Sequence, residues 1–297
     1  MKRKRLGSGL SPAIAMEKET DMTHYVHEVC DGILKDYLGR PWGWIRESDF
    51  APEVARRLST ALGNDNVVEA NLELGPRLVP KGGTTCTVSR VRTEVRFSLP
   101  QPPAGRPIKP KKTGKAQQLV DLAVYRCSEE KPVIRVNGNG ARDAFLHGRP
   151  EEFESLIEVK LTPGRWITSN GECPWFNDVE KLERFTDVPT RVVLFADTAL
   201  PLRSVGVTYN TKRVRKGLYS PPSEYPELPW PLRTAAFAVN ARGRRWTFKP
   251  CTPESKPGLF LWALGLDGRA RWDLKEETVR LLEHEEVTPT CWKVTVK

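Results

Sequence analysis

The hexapeptide Leu156-Ile157-Glu158-Val159-Lys160-Leu161 constrains the fold more than any other stretch of the chain. A short apolar run of this kind reads as a buried strand, yet it carries opposite charges two residues apart. Side chains alternate across a strand, so Glu158 and Lys160 share one face while Ile157, Val159 and Leu161 share the other. Charged side chains are rarely buried unless they are paired or hold a metal. Something must meet that face.

The Glu-x-Lys spacing alone selects nothing, because it also occurs at Glu129/Lys131 and Glu254/Lys256. Those copies lie in a polar turn and in a Pro-flanked loop; only Glu158/Lys160 stands in an apolar strand. A second interrupted strand is Val120-Asp121-Leu122-Ala123-Val124-Tyr125, with Val120, Leu122 and Val124 expected on the face opposite Asp121. If the two strands are neighbours, two carboxylates meet with a lysine alongside. Oxygen ligands at that spacing suit a hard cation such as Mg2+, which keeps several waters and binds substrate phosphate. The ion would polarise a phosphate and hold the attacking water. Lys160 could orient or deprotonate that water and offset transition-state charge. The bland alternative is a buried Asp121–Lys160 or Glu158–Lys160 ion pair, which adds little net stability.

The rest of the chain supplies the setting. Met22 to Leu38 predicts a helix with Tyr25, Val29, Ile33 and Tyr37 on one stripe, preceded by a loose basic tail. His24, His27 and Cys30 share roughly one face of it but lack a fourth ligand, so a helix with two surface histidines and a core cysteine is expected. Ser48 or Asp49 can cap a second helix, with Pro52 in its first turn, Val54, Leu58 and Leu62 buried, and Gly63 ending it. Glu47 stands at the entrance of this helix, either as a favourable charge near its positive N-terminus or as a further candidate site residue.

Strands are expected at Val67 to Leu74, Cys86 to Leu99 and Gln118 to Tyr125. The connector Pro100 to Lys115 carries Arg106, Lys109, Lys111, Lys112 and Lys115 with no acid, either a solvated hairpin tip or a phosphate-contacting loop. Asn137-Gly138-Asn139-Gly140 reads as a turn, since it lacks the Gly-Lys-Ser/Thr ending of a phosphate-binding loop. Asn177-Asp178-Val179-Glu180 offers a capping box for a third helix. Arg191 to Ala196 is a continuous apolar strand of a sheet interior, returning parallel after the crossover. Leu259 to Leu266 predicts a strand, Glu276 to His284 a helix and Cys291 to Val296 a final strand.

Composition narrows the partners. With 39% hydrophobic and 28% charged residues the chain is of ordinary globular type. Its formal net charge of +10 favours a polyanion. Residues 201–250 hold ten Lys/Arg against two Asp/Glu, clustered as Lys212, Arg213, Arg215, Lys216 and as Arg242, Arg244, Arg245, among Tyr209, Tyr219, Tyr225, Trp230 and Trp246. Cations interleaved with aromatics suit phosphate contact and base stacking. A core of aromatics with a solvated charged rim is the competing explanation. Six scattered cysteines without a Cys-x-x-Cys pair imply free thiols in a reducing cytoplasm. No apolar run approaches a bilayer span, no secretory leader is legible, and Met1, Met16 and Met22 are alternative starts. Four histidines form no Ser/His or Cys/His arrangement, which disfavours a small-molecule hydrolase.

From Trp44 to Thr198 the order of helix, strands, Asp121 strand, Glu158-Val159-Lys160 strand, helix and strand resembles the PD-(D/E)XK nuclease superfamily. The motif's Pro is replaced, since Val120 precedes Asp121. The resemblance implies an α/β fold: a restriction-endonuclease-like core with a central mixed sheet flanked by helices, over residues 22–198. A flexible tail (1–21) would precede it. A basic α+β region (199–297), continuous with the core or a nucleic-acid-gripping subdomain, would follow. It implies a Mg2+- or Mn2+-dependent endonuclease, acting on DNA rather than RNA, in restriction, phage defence or repair. Catalytic residues would be Asp121, Glu158 and Lys160. The metal ligands would be Asp121, Glu158 and the Val159 carbonyl, with Glu47, and less so Glu53, as additional carboxylates and Lys181 as an accessory cation. Nucleic acid would be gripped by Lys111, Lys112, Lys115, Lys212, Arg213, Arg215, Lys216, Arg244 and Arg245. A nucleic-acid-binding module of the same fold without activity is the alternative; a homodimer stays open, and no membrane partner is expected.

Overall fold

Strand-forming segments dominate the described residues after 66, and in the computed structural model eleven of these strands join one mixed sheet. The structure describes residues 12–39, 47–74, 84–98, 117–128, 130–137, 145–162, 175–197, 246–251, 255–266, 271–273, 278–280 and 287–296. Helices α1 (Pro12–Gly39) and α2 (Glu47–Leu62) come first. They are followed by β1 (Val67–Leu74), β2 (Thr85–Ser89), β3 (Val91–Ser98), β4 (Gln117–Tyr125), β5 (Val133–Asn137), β6 (Phe145–Gly148) and β7 (Phe153–Thr162). Helix α3 (Phe176–Glu183) leads to β8 (Thr190–Asp197). Then come β9 (Trp246–Pro250), β10 (Leu259–Leu266), β11 (Arg271–Asp273), β12 (Thr278–Arg280) and β13 (Val287–Val296). The large sheet runs β2-β1-β5-β6-β3-β4-β7-β8-β10-β13-β9, and β11 and β12 pair separately.

At the centre of the sheet β4 lies antiparallel between β3 and β7, with β8 parallel to β7. Helix α3 is the expected crossover. Strand β10 then lies parallel to β8, and β13 and β9 extend the same sheet. Of the described strands beyond residue 199, β9, β10 and β13 are therefore continuous with the core, while β11 and β12 are not part of that sheet. The 37 positions from Asp121 to Glu158 are accounted for by the β5-β6 hairpin, which pairs outward with β1 and β3.

Apolar side chains fill both faces. On one, Phe50, Val54, Leu58 and Leu62 of α2 join Val26, Cys30, Ile33, Leu34 and Tyr37 of α1 against Leu122, Ile157, Val159, Val192 and Leu194. On the other, Val179 and Leu182 of α3 pack with Val120, Leu156, Val193 and Phe195, together with Trp246 and Trp292. The run Val192 to Ala196 alternates between the two cores residue by residue, which is why it must be apolar throughout. Gly63 ends α2 with φ of 53°, a conformation that costs glycine little. No described helix is long and apolar enough to cross a membrane.

Several expectations need correction. Helix α1 begins at Pro12, so residues 12–21 are helical rather than tail; Pro is well suited to a first helical position. Helix α2 starts at Glu47, which moves Pro52 out of the first turn. Cys86 to Leu99 is two strands, because β2 pairs with β1 while β3 pairs with β4 and β6. The break is Arg90, whose buried guanidinium donates to the Tyr125 and Asp65 carbonyls and pairs with Glu154 at 2.7 Å. Helix α3 starts at Phe176 with Trp175 before it and no side-chain cap, so the Asn177 capping box is not used. Thr278–Arg280, inside the expected helix of residues 276–284, is strand; its β-branched Thr278 and Val279 suit the pairing with β11. The thiols are not all free: Cys251 and Cys291 form a disulfide. Lys111, Lys112, Lys115, Lys212, Arg213, Arg215, Lys216, Arg244 and Arg245 lie outside the described residues.

Candidate active site

Antiparallel pairing of Leu122 with Ile157 and Ala123 with Leu156 sets the register of β4 on β7. One step further brings Asp121 opposite Glu158, so the two interrupted strands are neighbours and their carboxylates fall at the same level. The ladder stops there, and the Val159 N–H donates to Asp121 Oδ2 at 2.8 Å. Within a strand the N–H and C=O of one residue turn toward the same neighbour, so the Val159 carbonyl also faces the β4 side.

The sheet is irregular at this level. On β3, Thr93 pairs with Leu122 and Val95 with Val120, which leaves Glu94 at the position facing Asp121. Glu94 has φ of 54°, a left-handed backbone in mid-strand. Val120 packs into the α3-side core although Leu122 and Val124 pack into the α1/α2-side core. Sequence alternation had put all three on one face; the irregularity at Glu94 and Asp121 shifts the phase. Such local breaks bend a strand and re-aim its side chains.

Glu158 is 3% exposed, and its carboxylate lies 2.5 Å from Lys181 Nζ. Lys181 also donates to the Leu119 carbonyl at 2.9 Å and lies 3.8 Å from Asp178 Oδ1. Both residues come from α3, three positions apart and so on one helix face. Across the site, Lys160 Nζ stands 3.5 Å from Glu47 Oε2. Glu47 also accepts a hydrogen bond from the Leu161 N–H.

The carboxylates outnumber the cations, and burial raises the pKa of three of them. Burial pushes Glu158 well above the ordinary carboxylate range despite Lys181, with Asp121 and Asp178 adding to the rise. Asp178 and Glu47 are raised in the same way, first by burial and then by neighbouring acids. Burial opposes the charge on Lys160, but Asp178, Glu47 and Asp121 together outweigh it and raise its pKa. Lys160 is thus a standing cation and a poor proton acceptor.

Asp121, Glu158, Lys160, Glu47 and Lys181 therefore converge. Asp178 joins them without having been foreseen as a functional group; its spacing from Lys181 on a helix was the available signal. Glu53 does not join, since Arg56 and Arg57 hold it. In another Glu-x-Lys copy, Lys131 is engaged elsewhere, with Glu69. His24 pairs with Glu28, and His27 accepts from Trp262 Nε1, so the helix-face histidines form no site with Cys30. All donors at the converging site are hard oxygens, the kind suited to Mg2+ or Mn2+. Among the described residues, no three His, Cys, Asp or Glu side chains are gathered as a ready metal-ligand group. Compared with known proteins, the chain matches no family model, no curated protein and no solved structure.

Proposed function

We propose that this chain is a metal-dependent nuclease that hydrolyses phosphodiester bonds, with DNA the favoured substrate. The observation that carries the reading is the meeting of Asp121 and Glu158 across β4 and β7, with Val159 bonded to Asp121. Asp121, Glu158 and the Val159 carbonyl would hold Mg2+ or Mn2+, which supplies charge for the phosphate and lowers the pKa of bound water. Glu47 keeps Lys160 at the mouth of the site, where its charge orients the water and offsets the developing phosphorane charge. The succession α2, antiparallel β4 and β7, crossover α3 and parallel β8 supports the reading, because the PD-(D/E)XK resemblance implies that order. The net charge of +10 and the basic clusters are the sequence features that favour a polyanionic substrate. Restriction, phage defence and repair are contexts carried by the resemblance alone.

One observation favours a second reading. Lys181 already neutralises Glu158, as it would in a nucleic-acid-binding module without activity. Supercoiled plasmid incubated with the full chain and Mg2+ or Mn2+ separates the two. Nicking that stops with EDTA, with Asp121→Asn and with Lys160→Ala supports the nuclease. Salt-sensitive binding with no cleavage under either ion sinks it and supports the module; RNA assayed in parallel tests the substrate preference.

A further inference from the structure

Lys181 is placed between two acidic partners rather than on one. Its ammonium reaches Glu158 on β7, the Leu119 carbonyl on β4 and, at 3.8 Å, Asp178 one turn earlier on its own helix. Its side chain is 16% exposed and that of Asp178 15%, so both work in a poorly hydrated site where charges act strongly. A divalent cation on Glu158 would repel an ammonium at hydrogen-bond distance from the same carboxylate. The Leu119 carbonyl gives Lys181 a fixed pivot, and the Asp178 carboxylate gives it somewhere to go.

We propose that Lys181 is a displaceable counter-ion, holding Glu158 in the metal-free protein and passing to Asp178 when a divalent cation takes Glu158. The proposal rests on the reading of Asp121 and Glu158 as a cation site. Lys181 and Asp178 are then positioning residues that set how readily metal enters. Asp178 aids binding by receiving the lysine, without touching the ion.

The test is calorimetric titration of Mn2+ into the full chain, with circular dichroism to check that each variant folds. Wild-type binding is expected to vanish in Asp121→Asn. Lys181→Met should tighten binding by about tenfold, and Asp178→Asn should weaken it by about tenfold, within the range of ordinary site couplings. The double variant should match Lys181→Met, because Asp178 has no lysine left to receive. Should Lys181→Met not fold, Lys181→Gln retains a donor for Glu158 and carries the same test. Asp121-dependent binding that Asp178→Asn weakens equally with and without Lys181 overturns the switch and leaves the metal site standing. The switch also fails if loss of Lys181 does not tighten binding. Mn2+ binding that is absent, or indifferent to Asp121→Asn, overturns both.

Discussion

Asp121 Oδ2 accepts the Val159 N–H at 2.8 Å, so the candidate catalytic carboxylate also completes the strand pairing beside it. The two roles separate on substitution. Asn keeps a side-chain oxygen for Val159 but loses the charge, whereas Ala leaves a backbone donor without its partner. Asp121→Ala should therefore lose about 1–3 kcal/mol of stability, the cost of an orphaned buried donor, and Asp121→Asn much less. Both should abolish metal-dependent cleavage. Equal stability losses in urea titrations would show that Asp121 does not support Val159.

The backbone facing Asp121 gives a second expectation. Glu94 holds φ of 54° in mid-strand, where only glycine sits without strain. Glu94→Gly should leave stability unchanged or raise it, offset in part by glycine's unfolded-state entropy. Glu94→Val, favourable in an ordinary strand, should cost more than about 1 kcal/mol here, because a β-branched side chain tolerates this conformation poorly. Chemical denaturation of both variants decides it, and a valine variant as stable as the glycine one would refute the distorted strand.

These two residues also mark where the sequence stops being legible. Ile157, Val159 and Leu161 do face one core while Glu158 and Lys160 face away, because β7 keeps a regular two-residue period there. Val120 breaks the same rule, since its direction is set by the irregular pairing with β3, which no local pattern encodes. Asp178 reads as part of a helix cap; it becomes part of the site only in the fold, where α3 lies against β8 and β10 and Lys181 reaches Glu158 on β7 and the Leu119 carbonyl on β4. The partners of Glu47 and Lys160 lie on separate elements, so only the folded sheet end brings them together. Residues 276–284 have helical composition, but Thr278 and Val279 take the strand that β11 offers.

Glu158 makes stability depend on pH. Its folded pKa is raised by burial, so folding favours the protonated form more than the unfolded chain does. That contribution is fully present below the ordinary carboxylate pKa and is lost as pH rises through the raised value. Glu158→Gln removes the titration while keeping an acceptor for Lys181. The variant should gain stability relative to wild type between pH 5 and pH 8, compared by urea unfolding at both. A difference that stays constant, or that runs the other way, would mean that Lys181 fully offsets the burial of the charge.

The disulfide was not legible either, because cysteines 40 residues apart carry no pairing information of their own. In the fold, Cys251 follows β9 and its N–H donates to the Cys291 carbonyl on the neighbouring β13 at 2.9 Å, which aligns the two. Cys291 Sγ also lies 3.7 Å from His27 Nδ1 on α1, so the link sits where the sheet's far edge meets the first helix. Burial, followed by the nearby His24, lowers the His27 pKa to about 4, so the ring stays neutral and keeps accepting from Trp262. Alkylation of the unfolded protein before and after reduction should differ by two thiols from this pair. Replacing both cysteines with serine should cost about 2–4 kcal/mol, as expected for removing a cross-link over such a loop. If reduction exposes no additional thiols, the pair is not bonded, and the serine variant should then unfold at nearly the wild-type denaturant midpoint.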